Sequence, residues 1–200
     1  MRINKYIIFL FSIWIFISAC GPDKLTAPEY MEWVANPENG LRRKQELGMV
    51  TFIVQYKPTD YMIAKTILKD GKLDENPDSL RQKSTITVFD IHITCESGSI
   101  HPYYYNNRNP QAIEQRQRYY HFSIQDDIYA KSGSQEFRPL YCRAEHGALM
   151  NNTLTLECGF ESIPTSEDIS LIINDTQLGS GIVKFNIDKS ALSHIPTLKI

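Results

Sequence analysis

The chain has 200 residues, of which 42% are hydrophobic and 22% charged, and its formal net charge is −2 at pH 7. This composition is typical of a globular protein and excludes a disordered or fibrous chain. An electrostatic nucleic-acid binder needs a concentrated basic surface, so the slight acidic excess also argues against a nucleic-acid partner.

The first twenty residues have the three-part pattern of a secretory signal. Arg2 and Lys5 give a positive start, and a mainly apolar run over residues 6–17 leads to two small residues directly before Cys20. A transmembrane helix needs about 20 apolar residues, so this run is too short to span a bilayer comfortably. The pattern therefore predicts a cleaved signal peptide over residues 1–19, and an uncleaved anchor helix is the alternative.

The four residues Ile17-Ser18-Ala19-Cys20 resemble the lipobox of bacterial lipoproteins. The resemblance implies that Cys20 receives a diacylglycerol, that the chain is cut before it, and that the new amino group is acylated by a fatty acid such as palmitate. Two or three acyl chains would hold the protein at a membrane essentially permanently. Because Gly21 rather than Asp follows the cysteine, we expect the outer membrane rather than the inner membrane. The covalent lipid is the only cofactor expected, and residues 20–27 form a short lipidated tether.

The first elements of the body alternate between helix and strand. Thr26 and Glu29 form a capping-box pattern at the start of a short helix. A segment rich in β-branched and aromatic residues predicts a strand over residues 48–58, and a second helix is predicted over residues 59–70. The polar segment 72–83 is predicted to be a solvated loop.

From Ser84 onward the sequence changes to strands separated by clusters of Gly, Asn, Ser and Pro. Asn109 and Pro110 stand in helix-starting positions and predict one further short helix or turn. Short connections favour antiparallel pairing, and no βαβ alternation supports a parallel sheet. We therefore predict a mainly β fold, with a single antiparallel β-sandwich-like domain over residues 28–200 and two or three short helices toward its N-terminal half. The predicted strands are 84–96, 136–145, 152–161, 168–175, 181–188 and, as the last, 195–200.

Three cysteines remain in the body of the chain. If the two strands that flank Met150 form a hairpin centred on it, Cys142 lies opposite Cys158, and an oxidising envelope permits a disulfide between them. The alternative is that these two residues and Cys95 pack as buried thiols, because a bridge directly across paired strands needs unusual geometry. Neither the cysteine spacing nor the neighbouring histidines predict a metal site.

Catalytic motifs of the common enzyme classes are missing from the sequence, which has no Gly-x-Ser-x-Gly, no His-Glu-x-x-His and no Gly-rich phosphate loop. We therefore predict no catalytic residues. Asp90 and His92 are two positions apart on a predicted strand, so they share a face and would form an acid–base pair in an enzyme. A solvent-facing strand surface is the simpler interpretation of these two residues.

A run of three tyrosines, Tyr103, Tyr104 and Tyr105, followed by Arg108, is the most suggestive feature outside the predicted core. Three successive side chains cannot all face one core, so at least one should be exposed. Exposed aromatic rings beside polar and basic groups are typical of surfaces that bind sugars or proteins. We therefore predict that these four residues bind a ligand, as part of a tyrosine-rich segment over residues 103–120. The alternative is that the tyrosines cover the edge of the sandwich.

Residues 28–58 resemble the start of uncharacterised lipoproteins from the Bacteroidota. The resemblance consists of an aromatic-Trp-Val segment, an Asn-Gly-Leu turn and a strand that ends at Tyr-Lys-Pro, and it implies no activity. Asp78-Ser79-Leu80 also resembles the short O-glycosylation motif used in such envelopes. The matching residues of the first segment are Trp33, Val34, Asn39, Gly40, Leu41, Tyr56, Lys57 and Pro58.

Three functional interpretations follow from the sequence. The first is a non-catalytic envelope lipoprotein, bound to the membrane by its lipid, that acts through contacts with an envelope protein partner. The second is a glycan- or ligand-binding module that uses the tyrosine-rich segment. The third is an envelope hydrolase whose site is assembled from scattered residues. The absence of a catalytic motif favours the first interpretation.

Overall fold

The structure is a computed structural model that describes residues 24–73, 75–145 and 152–200, apart from the side chain of Lys83. The predicted signal peptide and the lipidation site at Cys20 lie outside the described residues. The strands are β1 Lys24–Leu25, β2 Arg42–Leu47, β3 Val50–Lys57, β4 Ile86–Cys95, β5 Ile128–Ser132, β6 Gln135–Phe137, β7 Pro139–Ala144, β8 Thr153–Glu161, β9 Ile169–Asp175, β10 Gly181–Ile187 and β11 Thr197–Leu198. The helices are α1 Ala27–Ala35, α2 Thr59–Asp70, α3 Pro77–Lys83, α4 Pro110–Arg118 and α5 Lys189–Ser193.

A five-stranded antiparallel sheet in the order β2-β3-β4-β8-β7 forms one layer of the fold. Its strands alternate, because successive side chains of a strand point to opposite faces. In β4, Phe89 and Ile91 are fully buried in the core, while Asp90 and His92 point to the outer face. The same alternation in β3 and β8 gives the sheet one apolar face and one face that carries charge.

A four-stranded antiparallel sheet in the order β10-β9-β5-β6 forms the second layer. Its buried aliphatic and aromatic residues belong to the same core cluster as those of the first sheet. Side chains of β2 join the two layers along one side, since Arg43 Nε donates to the carbonyl oxygen of Asn186 (2.9 Å) and Gln45 Nε2 donates to that of Lys184 (3.0 Å). The layers therefore form a sandwich around one core.

Three helices gather at the end of the sandwich where β3 finishes. Helix α1 packs against α2, and Asp60 of α2 forms an ion pair with Arg81 of α3 (2.6 Å). At the start of α1, the N–H and the hydroxyl of Thr26 both donate to the carboxylate of Glu29, at 2.9 and 2.7 Å. The capping interaction expected from the sequence therefore holds the first turn of α1.

The prediction of a solvated loop over residues 72–83 was wrong for its second half, which forms helix α3. The Asn76 side chain accepts a hydrogen bond from the N–H of Asp78 (2.8 Å), and Pro77 occupies the first helical position. An N-cap asparagine followed by proline is a helix-starting pattern, and the polar composition of the segment obscured it. The proposed glycosylation motif 78–80 lies within this helix.

The two ends of the described chain are paired in a short parallel sheet. Lys24 lies opposite Thr197 and Leu25 opposite Leu198, and the N–H of Lys199 donates to the carbonyl oxygen of Leu25 (2.7 Å). Strand β1 falls within the predicted tether over residues 20–27, of which the structure describes residues 24–27.

The predicted mainly β, antiparallel sandwich-like fold is confirmed, as are the helix over residues 59–70 and the strand that precedes it. Helices α1, α2 and α4 correspond to the short helices predicted from the sequence. Helices α3 and α5 were not predicted, and the chain after α4 continues as a π-helical turn over Tyr119–Ser123.

A disulfide joins Cys142 to Cys158, which lie directly opposite each other in β7 and β8 with their Cα atoms 4.2 Å apart. The register is the one expected for a hairpin centred between the two strands. Leu140 departs from the expected pattern, because a bulge between Pro139 and Tyr141 turns its side chain into solvent. Cys95 is a free thiol, and burial raises its pKa to about 12.

We expect a Cys142→Ser, Cys158→Ser double variant to lose about 3 kcal/mol of unfolding free energy, because the bridge closes a loop of 16 residues. Chemical denaturation of both proteins measures this change. Cys95→Ala is the control, and its expected loss is about 1 kcal/mol, since it removes only one small buried group. Alkylation of Cys142 in the denatured, unreduced protein would contradict the disulfide.

Candidate functional site

A row of polar side chains crosses the outer face of the five-stranded sheet, with one residue from each strand. The strand register places Arg42 beside Gln55, Gln55 beside Asp90, Asp90 beside Glu157, and Glu157 beside Arg143. We call these five residues the ionic row. Four of them carry charge, although the middle of the row is buried.

Lys57 inserts its ammonium group between the two carboxylates of the ionic row. Its Nζ forms an ion pair with Asp90 and lies 3.8 Å from Glu157 Oε2. The exposed fractions of the three side chains are 3% for Lys57, 11% for Asp90 and 6% for Glu157. The ring of Tyr61, from helix α2, covers the ammonium at 5.5 Å from Nζ to the ring centroid.

The two carboxylates of the ionic row differ in their hydrogen-bond partners. Glu157 Oε1 accepts from Arg143 at 2.6 Å and from the hydroxyl of Tyr141 at 3.3 Å. Asp90 Oδ1 is buried and has no hydrogen-bond partner among the described residues. A buried carboxylate oxygen without a donor is unfavourable, so this atom is the least satisfied point of the row.

Gly159 makes room for the tyrosine that orients Glu157. The ring of Tyr141 lies over this glycine, and a Cβ atom there would come within 2.3 Å of Tyr141 Cε1. A side chain at position 159 would therefore displace the ring, and with it the hydroxyl that bonds Glu157.

Asp90 and His92 share the outer face, as expected, but they interact with different partners. Asp90 is buried and pairs with Lys57, whereas His92 Nδ1 lies 3.1 Å from the hydroxyl of Thr155. Burial lowers the pKa of His92, and the nearby Asp90 opposes part of that shift. The prediction of a solvent-facing surface was therefore wrong for Asp90, because the sequence does not reveal which neighbours cover the outer face.

A groove lies between the edge strand β7 and helix α4 with the π-helical turn that follows it. Its volume is about 600 Å³, and its lining includes Glu114, Arg118, His121 and Phe122 on the helical side and Arg143 and Ala144 on β7. We call it the edge groove. The side chain of Phe122 is 78% exposed at this site. It belongs to the π-helical turn, a type of irregularity that is frequent at functional sites.

Arg143 belongs to both the ionic row and the edge groove. Its guanidinium donates to the buried carboxylate of Glu157 while its side chain lines the groove. The two features are therefore parts of one candidate site, which runs from the interior of the outer face to the open edge of the sheet.

The structure separates the four predicted ligand-binding residues into buried and exposed pairs. Tyr103 is buried and its hydroxyl lies 3.2 Å from His121 Nε2, while Tyr105 is half-buried. Tyr104, at 46%, and Arg108 are exposed. Burial raises the pKa of Tyr103 to about 12, so its hydroxyl stays protonated.

Arg116 holds the backbone of the tyrosine-rich segment through hydrogen bonds from its buried side. This arginine is buried, and its Nη1 donates to the carbonyl oxygens of Pro102 (3.0 Å), Tyr103 (3.3 Å) and Tyr105 (2.6 Å). This role could not be predicted from the sequence, because arginine in a polar helix is usually solvated. The guanidinium therefore acts as the structural centre of the turn that carries the tyrosines.

The fold and the site together define an antiparallel β-sandwich-like protein with a buried ionic row and an open edge groove. No protein-family model and no curated protein sequence matches the chain. Among solved structures, it is similar to a protein of unknown function from Burkholderia pseudomallei, with a TM-score of 0.35 and 11% identity over 86% of this chain and 94% of that one. A likeness at this level carries no functional argument.

None of the helices in residues 24–73, 75–145 and 152–200 has the length and apolar character needed to cross a bilayer. Within the same residues, no three His, Cys, Asp or Glu side chains are arranged to hold a metal ion.

We expect Arg116→Ala to lower the unfolding free energy by about 3 kcal/mol, because it removes charge-assisted hydrogen bonds to three carbonyl groups. The matched control is Arg118→Ala in the same helix. Its guanidinium is exposed and forms a surface ion pair with Glu114, so no measurable change is expected. Equal losses in the two variants, measured by urea denaturation, would contradict the role of Arg116.

Proposed function

We propose that the protein is a lipid-anchored component of the cell envelope, without catalytic activity, that binds an extended segment of a partner protein along strand β7. The lipobox at Cys20 supports the anchor. The open edge of β7, flanked by two concavities, is the observation that carries the binding role.

Strand β7 has a free edge in the part of the chain that the structure describes. It is the last strand of the five-stranded sheet, and β8 is the only described strand that pairs with it. On its other side, the helical turn Tyr119–Ser123 packs near the strand, and the backbone groups form no ladder with another described strand. Leu140 and Arg143 are exposed along this strand, whereas Cys142 and Ala144 are buried.

Concavities lie at both ends of this edge. The edge groove adjoins Arg143 and Ala144, and a second concavity of about 470 Å³ adjoins Pro139 and Leu140. Peptides that add a strand to a sheet gain affinity from backbone hydrogen bonds and specificity from pockets that take alternate side chains. The geometry around β7 fits this mode better than a catalytic pocket, because the exposed apolar side chains of Phe122 and Leu140 border the two concavities.

The proposed anchor would hold the body close to the membrane. Strand β1 begins four residues after Cys20, a distance of at most about 14 Å in an extended chain. The helices α1–α3 and the β1–β11 pair would then face the bilayer, with an outer-membrane location preferred to the inner membrane. The edge groove is built from other elements, so a partner protein would have access to it.

A glycan remains the second candidate ligand, and it is supported by the exposed ring of Tyr104 beside Arg108. Aromatic rings at this degree of exposure stack on sugar faces. Tyr103 and Tyr105 contribute little accessible area, so the candidate glycan-binding surface is smaller than the sequence indicates.

We expect Cys20→Ser to abolish both lipidation and cleavage of the signal peptide, because serine offers no thiol for the lipid. Incorporation of a labelled fatty acid into the purified protein measures the first, and the mass of its N-terminal peptide measures the second. Cys95→Ser is the control and should keep the label, since that thiol is buried in the body. A labelled and processed Cys20→Ser protein would overturn the anchor.

We expect a photoreactive amino acid at Phe122 or Leu140 to crosslink one discrete envelope protein in intact cells, because both positions border the free edge. Ile182 on β10, 74% exposed and on a different strand, is the matched control and should give no such adduct. Gel analysis of the purified adducts provides the measurement. Equal adducts from all three positions would contradict the proposal. If the same photoreactive amino acid is placed at Tyr104, a carbohydrate adduct from that position alone would favour the glycan alternative.

A further inference from the structure

Lys57, Asp90 and Glu157 form a group that differs from the other ion pairs of the described chain. An amine and two carboxylates lie together, and each side chain is about nine-tenths buried or more. By contrast, pairs such as Lys44–Glu46 and Lys131–Glu136 are exposed, and each contains a single carboxylate. The buried group therefore brings together two functional groups that can condense and a third that can move protons.

The strands hold the reacting groups in fixed positions. Lys57 lies opposite Val88 in the register, so its long side chain reaches Asp90 diagonally on the same face of the neighbouring strand. Glu157 lies directly opposite Asp90 on the other neighbouring strand. Groups held in contact by a rigid framework react as if at effective concentrations of about 10⁵ M or more. Condensation that is unfavourable in water becomes favourable under such conditions, since bulk water is also excluded.

We propose that Lys57 and Asp90 become joined by an intramolecular amide bond, with Glu157 as the proton carrier. Glu157 first takes one proton from the Lys57 ammonium, which frees the lone pair of Nζ to form the new bond to Asp90 Cγ. The bond from Cγ to one carboxylate oxygen then breaks with its electron pair staying on oxygen. Of the three ammonium protons, one stays on the amide nitrogen and two leave with that oxygen as water. Glu157 accepts these protons from nitrogen, passes them to the departing oxygen, and ends the reaction unchanged.

The unpartnered oxygen of Asp90 fits this reaction. Asp90 Oδ1 has no hydrogen bond that must be broken, so it is the oxygen that leaves. Arg143 and the Tyr141 hydroxyl hold Glu157 through its other oxygen, which leaves Oε2 facing Lys57. The reaction removes the buried charges of Lys57 and Asp90 together, and Glu157 remains balanced by Arg143. The desolvation cost of the central ion pair is thereby relieved.

The test is peptide mapping of the mature protein purified from membranes, after reduction, alkylation and tryptic digestion. Trypsin does not cut between Lys57 and Pro58, so Lys57 lies in peptide 45–65 and Asp90 in peptide 84–108. The expected result is one branched species that contains both peptides and weighs one water molecule less than their sum. Its fragment ions should place the link between Lys57 and Asp90. The exposed cross-strand pair Lys131–Glu136 is an internal control and should remain unlinked.

A Glu157→Gln variant tests the proton transfer by Glu157 without changing the size of the side chain. Glutamine has the same size but carries no proton between the two groups, so we expect the branched species to fall at least tenfold. Circular dichroism of the variant verifies that it folds. The wild-type digest itself needs no variant, so the proposal stays testable even if Glu157→Gln is unstable.

Two outcomes overturn the proposal. The first is recovery of peptides 45–65 and 84–108 only as separate species from the wild-type protein. The second is an equal yield of the branched species from folded Glu157→Gln, which would remove the assigned role of Glu157. Both outcomes are independent of whether strand β7 binds a partner.

Discussion

The rest of the structure depends on how the buried charge of Asp90, on the outer face of the central strand β4, is balanced by its neighbours. The inner residues of β4 form the core, and Asp90 on its outer face is also buried, beside the ammonium group of Lys57. The buried charge of Asp90 therefore needs the positive charge of Lys57 beside it, and the buried charge of Lys57 needs the carboxylates. Removing one partner of a buried pair leaves an uncompensated charge, which is more costly than losing the whole pair. The charges on three strands thus have to be present together.

Arg143 connects this buried balance to the surface. Its guanidinium neutralises Glu157 from the open side of the sheet, and the same side chain lines the edge groove. Any group that drew Arg143 away from Glu157 would leave that carboxylate facing Lys57 alone. The outer face and the edge of β7 are therefore physically connected through one side chain, while the disulfide fixes β7 against β8 next to it.

Much of the fold follows from local sequence patterns. The alternation in residues 84–96 predicts which side chains of β4 face the core, and the capping pattern at Thr26 predicts the start of α1. These features depend on neighbours in sequence. The site depends on neighbours in space, which is why the burial of Asp90, the insertion of Lys57 and the role of Arg116 were missed. A sequence shows that Asp90 and His92 share a face, but not that Tyr61 and Lys57 approach that face from other elements.

Helix α3 shows a different reason for a missed element. Its residues have poor apolar periodicity, and only the Asn76-Pro77 start indicates a helix. The ion pair between Arg81 and Asp60 stabilises it from outside, and Asp60 also accepts the N–H of Leu198. Tertiary contacts therefore outweigh the polar composition that predicted a loop.

The pairing of β1 with β11 also determines where the two ends of the chain emerge. Because Lys24 lies opposite Thr197 and Leu25 opposite Leu198, the two ends of the described chain lie close together. With the proposed lipid at Cys20, an epitope, fluorophore or affinity handle fused after Ile200 would lie close to phospholipid headgroups. An insertion in the surface turn at Gly133, between β5 and β6, would carry the same label on a different part of the molecule.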